Sequence, residues 1–431
     1  MSNSITSPFG ELPSDWVYQP VVNYVEFLTG PAFDSTKFNT ERFGARLVRG
    51  INLTRGATRW AEEKTKYWNV NLEELKKFQL AEMDILIGMD GSLVGKNYAY
   101  LKKSDLPALL VQRVARLRAK EQLDSKYLYY MYGTDSWVDY VEIVKTSSGI
   151  PHISNGDIKN FLFPSPPLPE QKKIAAILTS VDDVIEKTQA QIDKLKDLKT
   201  GMMQELLTRG VGVDGKPHTE FKDSPVGRIP KGWEAVTLGD ITEESVFGPR
   251  FSSNEYAIDG NIGCIRTTDM DENWDINYST APRAKLNHQE FEKHFLRDGD
   301  LLVTRSGTCG LVDVFKKQSL PMVAAAFLIR FRLITSVNPY FVRYLMMSSS
   351  IQESVQLLAS GGVQKNLSGT SLKTLKLPMP SAEEQNQVVN AIESINQSIA
   401  SVQRKQSANK VLKKALMQDL LTGKKRVKVD S

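Results

Sequence analysis

Two stretches of the sequence place polar side chains directly after an apolar, strand-like run. MDILIGMDGSLVG begins at Met83 and GDLLVTRSGTCG begins at Gly299. The polar positions are Asp90 and Ser92 in the first stretch, with Lys96 directly after it, and Arg305, Ser306 and Thr308 in the second. An arginine can donate two parallel hydrogen bonds to guanine, and serine or threonine can contact a base or a phosphate. The positions are therefore candidate nucleic-acid contacts. The alternative is a solvated turn whose residues drifted after duplication.

Arginines recur two residues apart in two further apolar runs. VARLRAK contains Arg116 and Arg118, and LIRFRLI contains Arg330 and Arg332. Residues two apart in a strand share a face, so each pair could meet successive phosphates and position a domain without reading sequence. The alternative is an exposed strand face with ordinary solvated arginines.

Two polar loops offer further donors and acceptors. SGIPHISNGDIKN and SGGVQKNLSGTSLKT are rich in small residues that would let polar side chains approach a nucleic-acid groove. The candidates are His152, Ser154 and Asn155 in the first loop and Gln364, Lys365 and Asn366 in the second. Capping of the next strand or helix is the alternative. Candidates of the same kind elsewhere are Asn52, Arg55, Arg250 and Arg266.

These candidates occur in pairs because the sequence repeats itself. PLPEQKKIAAIL begins at Pro167 and PSAEEQNQVVNAI begins at Pro380, and LPSDW before Val17 corresponds to IPKGW before Glu234. The distance between equivalent residues stays close to 214 along the whole half, as for Gln171 and Gln385. A single long offset indicates a tandem duplication of a unit of about two hundred residues, rather than a solenoid of short repeats.

Each unit combines a mixed domain with a long helix. DILIG, LLVQRVARLR, DLLVT and AFLIRFRLI are typical of strands, and KYLYYMYG and PYFVRYLMMSSSIQESVQ of short helices. We predict an α+β protein in which two duplicated globular domains are separated by two long helices. The predicted segments are a first domain at 1–168, a helix at 169–210, a linker at 211–232, a second domain at 233–380, a helix at 381–423 and a basic tail at 424–431.

The long helices each carry an apolar seam. Apolar residues recur every three and four positions from Ile174 to Leu206 and again from Val388 to Leu420. This spacing is typical of a coiled coil, and the chain connectivity favours antiparallel pairing of the two copies. Gln406 and Asn409 interrupt the second seam and either set its register or face a gap. Ser381 and Glu384 are spaced as a capping box.

Composition limits the other functions. The chain has 431 residues, a net charge of +5 and only two cysteines, and many nucleic-acid binders are more basic. No signal peptide or membrane span is evident, so we expect a cytoplasmic protein. No Gly-rich loop suits S-adenosylmethionine or ATP, and no His or Cys cluster suits a metal. VNPYF at Val337 is an imperfect amino-methyltransferase motif, and Glu170 and Lys172 form an isolated E-x-K pair. We expect no catalysis by this chain itself.

The ordered set of repeated motifs resembles the specificity subunit of type I restriction–modification systems. The resemblance rests on LPSDW and IPKGW, on FPSPPLPEQKKIAAIL and LPMPSAEEQNQVVNAI, and on MMQELLTRG and LMQDLLTGK. It implies that each domain is a target-recognition domain that reads half of a split, asymmetric site in double-stranded DNA. The helices would then set the distance between the halves and bind two methyltransferase subunits.

The resemblance also implies partners and cofactors. Motor–nuclease restriction subunits are expected to join the complex, which would use S-adenosylmethionine, ATP and magnesium through those other subunits, with no cofactor bound by this chain. Readers one helical turn apart predict an unread spacer of about 6–7 bp. The alternatives are a structural coiled-coil scaffold or a self-contained DNA methyltransferase. The tail residues Lys424, Lys425, Arg426 and Lys428 either touch DNA or a partner or form a frayed, solvated terminus.

Overall fold

The computed structural model describes residues 5–7, 10–70, 72–146, 149–212, 215–359 and 366–429. The chain divides into two compact units, one made of Met1–Gln189 with Arg404–Ser431 and the other of Ala190–Gln403. Each unit therefore contains one globular domain, the first part of one long helix and the last part of the other. Unit 1 is built from both ends of the chain.

Unit 1 contains a five-stranded sheet, a three-stranded sheet and two strand pairs. Its strands are β1 (Ile5–Ser7), β2 (Gly10–Leu12), β3 (Val17–Pro20), β4 (Val25–Thr29), β5 (Ala45–Val48), β6 (Arg55–Gly56), β7 (Tyr67–Trp68), β8 (Ile85–Gly88), β9 (Tyr98–Tyr100), β10 (Ala108–Leu110), β11 (Val114–Ala119) and β12 (Leu162–Ser165). The sheet orders are β4-β11-β8-β9-β6 and β10-β5-β7, and the pairs are β1-β2 and β12-β3.

Unit 2 repeats this arrangement. Its strands are β13 (Phe221–Ser224), β14 (Gly227–Pro230), β15 (Glu234–Thr237), β16 (Thr242–Phe247), β17 (Ile262–Ile265), β18 (Arg283–Ala284), β19 (Leu301–Thr304), β20 (Val312–Val314), β21 (Met322–Ala324), β22 (Leu328–Leu333) and β23 (Lys376–Met379). The four-stranded sheet β16-β22-β19-β20 corresponds to β4-β11-β8-β9 of unit 1, and β6 has no counterpart among the described strands of unit 2. The sheet β18-β17-β21 and the pairs β13-β14 and β15-β23 match those of unit 1. Even the one parallel pairing inside the three-stranded sheet recurs, as β10 with β5 and β21 with β17. The predicted duplication is confirmed.

The helices follow the same plan. They are α1 (Ser125–Met131), α2 (Asp135–Val144), α3 (Asn155–Asn160), α4 (Leu168–Arg209), α5 (His288–Phe291), α6 (Pro339–Met347), α7 (Ser349–Leu358), α8 (Gly369–Lys373) and α9 (Ala382–Leu420). The long helices α4 and α9 have 42 and 39 residues. Each core includes residues from both of them. Ile174 and Leu420 are buried in the main core of unit 1, and Leu207 and Val388 are buried in that of unit 2.

Within unit 1 the two long helices run in opposite directions. Asp182 of α4 pairs with Lys413 of α9 at 2.7 Å. Seven residues further along α4, the Gln189 side chain accepts a 2.8 Å hydrogen bond from Gln406, which lies seven residues earlier in α9. Gln406 is buried in this contact. The pair therefore fixes the register of the helices, as one of the two sequence alternatives proposed.

Unit 2 shows the same antiparallel arrangement at the other ends of the helices. The backbone N–H groups of Val211 and Gly212, just past the end of α4, donate 3.0 Å hydrogen bonds to the carboxylate of Glu384 in the first turn of α9. Gly210 ends α4 with a φ of 66°, a left-handed conformation that glycine adopts without strain. The predicted capping box is half correct. Ser381 accepts the Glu384 N–H, but the Glu384 side chain binds the linker instead.

The repeated Glu-Gln pair explains the sequence repetition at the helix starts. Glu170 and Glu384 each accept a hydrogen bond from the indole of the equivalent tryptophan, Trp16 or Trp233. The adjacent glutamines, Gln171 and Gln385, accept the backbone N–H at the N-caps of α1 and α6, both at 2.8 Å. The motif therefore fastens each long helix to its domain.

The two longer runs that contain the paired arginines are not strands over their whole length. In LLVQRVARLR a turn at Val111, Gln112 and Arg113 separates β10 from β11. In AFLIRFRLI the first two residues, Ala326 and Phe327, belong to the turn before β22. These turns cannot be predicted from the sequence, because neither contains glycine or proline.

Candidate nucleic-acid interface

Three segments of unit 1 meet beside the end of β8. The Met89 N–H donates to the carbonyl of Arg113 at 3.0 Å, and the Ile153 N–H donates to the carbonyl of Met89 at 2.9 Å. Asp90 and His152 form an isolated β-bridge next to them. We call this convergence of Met89–Ser92, Gln112–Arg113 and His152–Ser154 site 1.

Unit 2 builds the same frame. The Arg305 N–H donates to the carbonyl of Phe327 at 2.9 Å, and the Leu367 N–H donates to the carbonyl of Arg305 at 2.9 Å. Ser306 and Asn366 form the corresponding β-bridge. We call this convergence of Arg305–Thr308, Ala326–Phe327 and Asn366–Leu367 site 2. The polar loops that the sequence marked separately thus come together in each unit.

A glycine holds the turn of each frame in place. Gly30, just after β4, lies so close to the first turn that an added Cβ would sit 2.3 Å from the Val111 carbonyl. Gly248, just after β16, has the same relation to the second turn, 2.1 Å from the Ala325 carbonyl oxygen. Any side chain at either position would push the turn outward, so the positions of Arg113 and Phe327 depend on these glycines.

The side chains of site 1 are charged. Arg113 has a φ of 64°, uncommon for a residue with a side chain. Its Nη1 donates to Asp90 at 2.6 Å. The pair borders a groove of about 1040 Å³ whose lining also includes Arg49, Arg55 and Arg59. Burial lowers the pKa of Arg49, which does not remove its charge at neutral pH. Four arginines facing one carboxylate make the groove suited to a polyanion.

The side chains of site 2 are aromatic and cationic. The Arg305 guanidinium lies over the Phe247 ring, 4.6 Å from its centroid. Within the described residues, this guanidinium has no hydrogen-bond or ion-pair partner, and its Nε is buried. Phe327 occupies the turn position of Arg113 and is 57% exposed. The same frame therefore presents different chemistry in the two units.

The structure gathers about half of the predicted contact residues at these sites. Asp90, Ser92 and Arg55 line the site 1 groove, and His152, Ser154 and Asn155 line an adjoining depression that shares Arg113. Arg305, Ser306, Thr308 and Asn366 lie at site 2, whereas Gln364 and Lys365 lie outside the described residues. Ser154 also caps α3, as the alternative for that loop proposed.

The four strand arginines do not form a phosphate-binding face, and that prediction is corrected. Arg118 makes a two-pronged hydrogen bond with buried Asp84 at 2.7 and 2.8 Å. Its equivalent Arg332 binds buried Asp300 in the same way, both at 2.9 Å. Arg330 is 1% exposed and pairs with Glu244 at 2.8 Å.

Arg116 is also buried, 3.7 Å from Glu26. Sequence periodicity could not show these acidic partners, because they come from neighbouring strands and loops. Three of the four arginine side chains, those of Arg116, Arg330 and Arg332, are at most 13% exposed. The fourth, that of Arg118, is 37% exposed, but its Nε and Nη2 are both bonded to Asp84.

Other candidates have structural roles or stand apart. Asn52 is fully buried, with its amide bonded to the Arg49 N–H and the Arg59 carbonyl, so it cannot reach DNA. The Arg266 guanidinium is bonded to buried Asp269 at 2.9 and 3.1 Å. Arg250 and Lys96 are exposed. Lys96 belongs to neither site as defined, and with Lys145 it contributes to lowering the pKa of Glu142, the hydrogen bond from Lys145 being the main cause.

The basic tail is partly docked rather than frayed. Arg426 binds Glu170 through two hydrogen bonds of 2.7 Å and Asp15 through two of 2.8 and 2.9 Å. Lys425 pairs with Asp419 at 2.6 Å. The isolated E-x-K pair therefore has a structural explanation, because Glu170 is occupied by the tail and by Trp16.

Sequence reasoning missed Arg113, Arg49 and Arg59 at site 1 and Phe247 and Phe327 at site 2. Aligning the two copies does place Arg113 opposite Phe327, and that unlike pair was the one available signal. Because both residues were assigned to strands, the difference between them gave no indication of an exposed turn.

The motifs that suggested catalysis or other binding are otherwise explained. Asn338 of VNPYF caps α6 by accepting the Tyr340 N–H at 2.9 Å. Among the described residues, no group of three or more His, Cys, Asp or Glu side chains could hold a metal ion. The same portion of the chain contains no helix with the length and apolarity to cross a membrane.

The fold and the two sites define a duplicated protein in which each α+β domain is fastened to antiparallel helices and presents, on a shared backbone frame, side chains that differ between the two units. The family model for the type I restriction modification DNA specificity domain matches residues 48–197 and 230–410. The chain belongs to this family.

Relatives match over most of their length. The chain is 29% identical over 362 residues to the type I restriction enzyme MjaVIII specificity subunit of Methanocaldococcus jannaschii, covering 82% of this chain and 81% of that protein. It is 24% identical to the EcoBI specificity subunit of Escherichia coli, covering 88% and 79%.

A crystal structure of a type I restriction-modification S subunit from M. genitalium has the same fold. Its TM-score is 0.56 at 16% identity, covering 94% of this chain and 96% of that one. A chain from a study of complex assembly and conformational transition of the type I R-M system scores 0.55 at 17% identity, covering 95% and 98%.

Proposed function

We propose that this chain is the DNA-specificity subunit of a type I restriction–modification complex, with site 1 and site 2 each reading half of a bipartite, asymmetric target. The observation that carries the proposal is one backbone frame, built twice with the same hydrogen bonds, that presents an Arg113–Asp90 pair in one unit and Arg305, Phe247 and Phe327 in the other. A shared backbone frame would dock on DNA in the same way in both units, and the different side chains would read different bases.

Each site holds one arginine in a fixed orientation. Asp90 supports Arg113 by a hydrogen bond, and Phe247 supports Arg305 through its ring face. A guanidinium that is already oriented loses less freedom when it binds guanine O6 and N7. A good paired contact discriminates against other bases by about 1–3 kcal/mol. We therefore assign one guanine contact to each half-site.

The long helices supply the remaining parts of the proposal. Val184 on α4 and Val411 and Leu412 on α9 expose between 40% and 71% of their surface. Exposed apolar side chains on long helices suit partner subunits. We assign the helices to setting the spacer and to binding two methyltransferase subunits, joined by restriction subunits. S-adenosylmethionine, ATP and magnesium belong to those partners in this proposal, and the chain itself is non-catalytic.

The test is methylation mapping with site-specific variants. The gene is expressed with its methyltransferase subunits in a host that lacks other methylation, and methylated motifs are sequenced. Arg113→Ala should relax one guanine position in one half-site, and Arg305→Ala should relax one in the other half. The matched control is Arg283→Ala, an exposed arginine of unit 2 outside site 2, which should leave the motif unchanged. An unsplit motif, or variants that alter both halves together, would contradict the proposal.

A further inference from the structure

We propose that site 2 reads a thymine through the ring of Phe327, by apolar contact with the thymine C5-methyl group. This inference rests on the proposed function and names part of what the second unit recognises. Phe327 is one of the most exposed large apolar side chains of unit 2, and its place in the frame is the place that Arg113 occupies in unit 1.

Phe327 is held at the tip of a tight turn. The Leu328 N–H donates to the Ala325 carbonyl at 2.9 Å, which closes the turn over Ala326 and Phe327. The Phe327 carbonyl accepts the Arg305 N–H, and Gly248 packs against the opposite side of the turn. The backbone is thus fixed from both sides while the ring faces solvent. On a fixed backbone, the phenylalanine has only its side-chain torsions to order when it binds.

The surroundings of the ring point to a partly apolar target. Phe247, which supports the Arg305 guanidinium, is itself 43% exposed. Site 2 therefore places two exposed aromatic rings beside a guanidinium that, among the described residues, has no hydrogen-bond or ion-pair partner. The groove beside site 1 is instead lined by four arginines and one carboxylate. In the major groove the thymine methyl is the one apolar group on a base edge, and phenylalanine is among the side chains that contact it. An arginine and a phenylalanine on adjoining segments fit a guanine and a thymine close together.

The experiment removes that methyl group and nothing else. The second half-site is first defined by methylation mapping. Duplexes are then synthesised with deoxyuridine in place of one thymine at a time, which keeps base pairing and every hydrogen-bonding group. Binding is measured with the full chain in complex with its methyltransferase subunits. We expect one position at which the wild-type complex binds about fourfold more weakly, the effect of burying one methyl group.

Variants assign the effect to the ring. In Phe327→Ala, thymine and uracil duplexes should bind equally at that position, and Phe327→Leu should retain part of the difference. Ile258→Ala is the matched control, because Ile258 is a highly exposed apolar residue on another turn of unit 2. It should keep the full fourfold difference. The exposure of Phe327 makes loss of folding in these variants unexpected, and circular dichroism checks this.

The outcomes separate this inference from the proposed function. If the wild-type complex shows no sequence-specific binding, the proposed function itself fails. If binding is specific but no uracil substitution in the second half weakens it, the thymine contact is overturned. An effect that persists in Phe327→Ala overturns it as well. A ring inserted between base pairs would unstack them and raise 2-aminopurine fluorescence without a uracil effect, and that result also rejects the proposal.

Discussion

Replacing Arg426 with alanine should destabilise unit 1, because this C-terminal residue binds acidic side chains in the N-terminal part of the unit. The Arg426 side chain is 43% exposed, but one of its two partners, Glu170, is buried. The other partner, Asp15, is half exposed. Without Arg426, the buried carboxylate retains a single 3.3 Å hydrogen bond, from the Trp16 indole. The substitution therefore removes both a cross-link between the chain ends and the countercharge of a buried acid.

The Arg426–Glu170 and Arg426–Asp15 contacts should contribute unequally to the free energy of unfolding. Removing one partner of a fully buried ion pair costs about 3–5 kcal/mol. Because Arg426 is partly exposed, water replaces some of what is lost, and we expect about 2 kcal/mol in the free energy of unfolding of unit 1. The exposed Asp15 contact should contribute under about 1 kcal/mol. Double-mutant cycles with Glu170→Gln and Asp15→Asn should therefore give a large and a small coupling energy.

Urea unfolding followed by peptide-resolved hydrogen exchange measures the two units separately. Arg426→Ala should lower the unfolding free energy of unit 1 and leave unit 2 unchanged. The matched control is Lys425→Ala, because Lys425 pairs with Asp419 at the surface and is 70% exposed. This substitution should change the unfolding free energy of unit 1 by less than about 0.5 kcal/mol. Equal effects of the two variants, or equal coupling to Asp15 and Glu170, would refute the reasoning.

Two further predictions concern unit 2 and the helices. Burial favours the neutral form of Glu384 and so raises its pKa. Four hydrogen bonds to the carboxylate outweigh this effect and hold the pKa of Glu384 below the ordinary value of 4.5; the donors are Gly212, His218, Val211 and Trp233. A lowered pKa stabilises unit 2 above about pH 4.5, and that contribution is lost as the pH falls. Acid titration of unfolding should thus be steeper for wild type than for Glu384→Gln, and identical profiles would reject the cause. Separately, inserting four residues after Gln189 and four before Gln406 lengthens both helices by about 6 Å. Methylation mapping should then show a wider spacer and unchanged half-sites. An unchanged spacer would contradict the proposal that the helices set the spacer length.

Features that depend on local sequence patterns were predicted correctly, whereas contacts between residues far apart in the sequence were not. The spacing of apolar residues and the offset near 214 identified the duplication, the long helices and their antiparallel pairing, because these depend on local periodicity and on repetition. The alternating arginines were misassigned, since Asp84 and Asp300 lie more than 30 residues away from the arginines they neutralise. Two turns without glycine or proline hid Arg113 and Phe327 inside apparent strands.

What the sequence alone determined is the plan of the molecule, namely two copies of one α+β unit, each followed by a long helix that begins with the same Glu-Gln pair. Tertiary structure alone decided which side chains are available for recognition. Whether an arginine faces solvent or a buried acid depends on what distant segments bring beside it. Arg118 donates its hydrogen bonds to buried Asp84, whereas Arg113, five residues earlier, is exposed and hydrogen-bonded to Asp90. No local pattern separates the two, because the difference lies in contacts made across the fold.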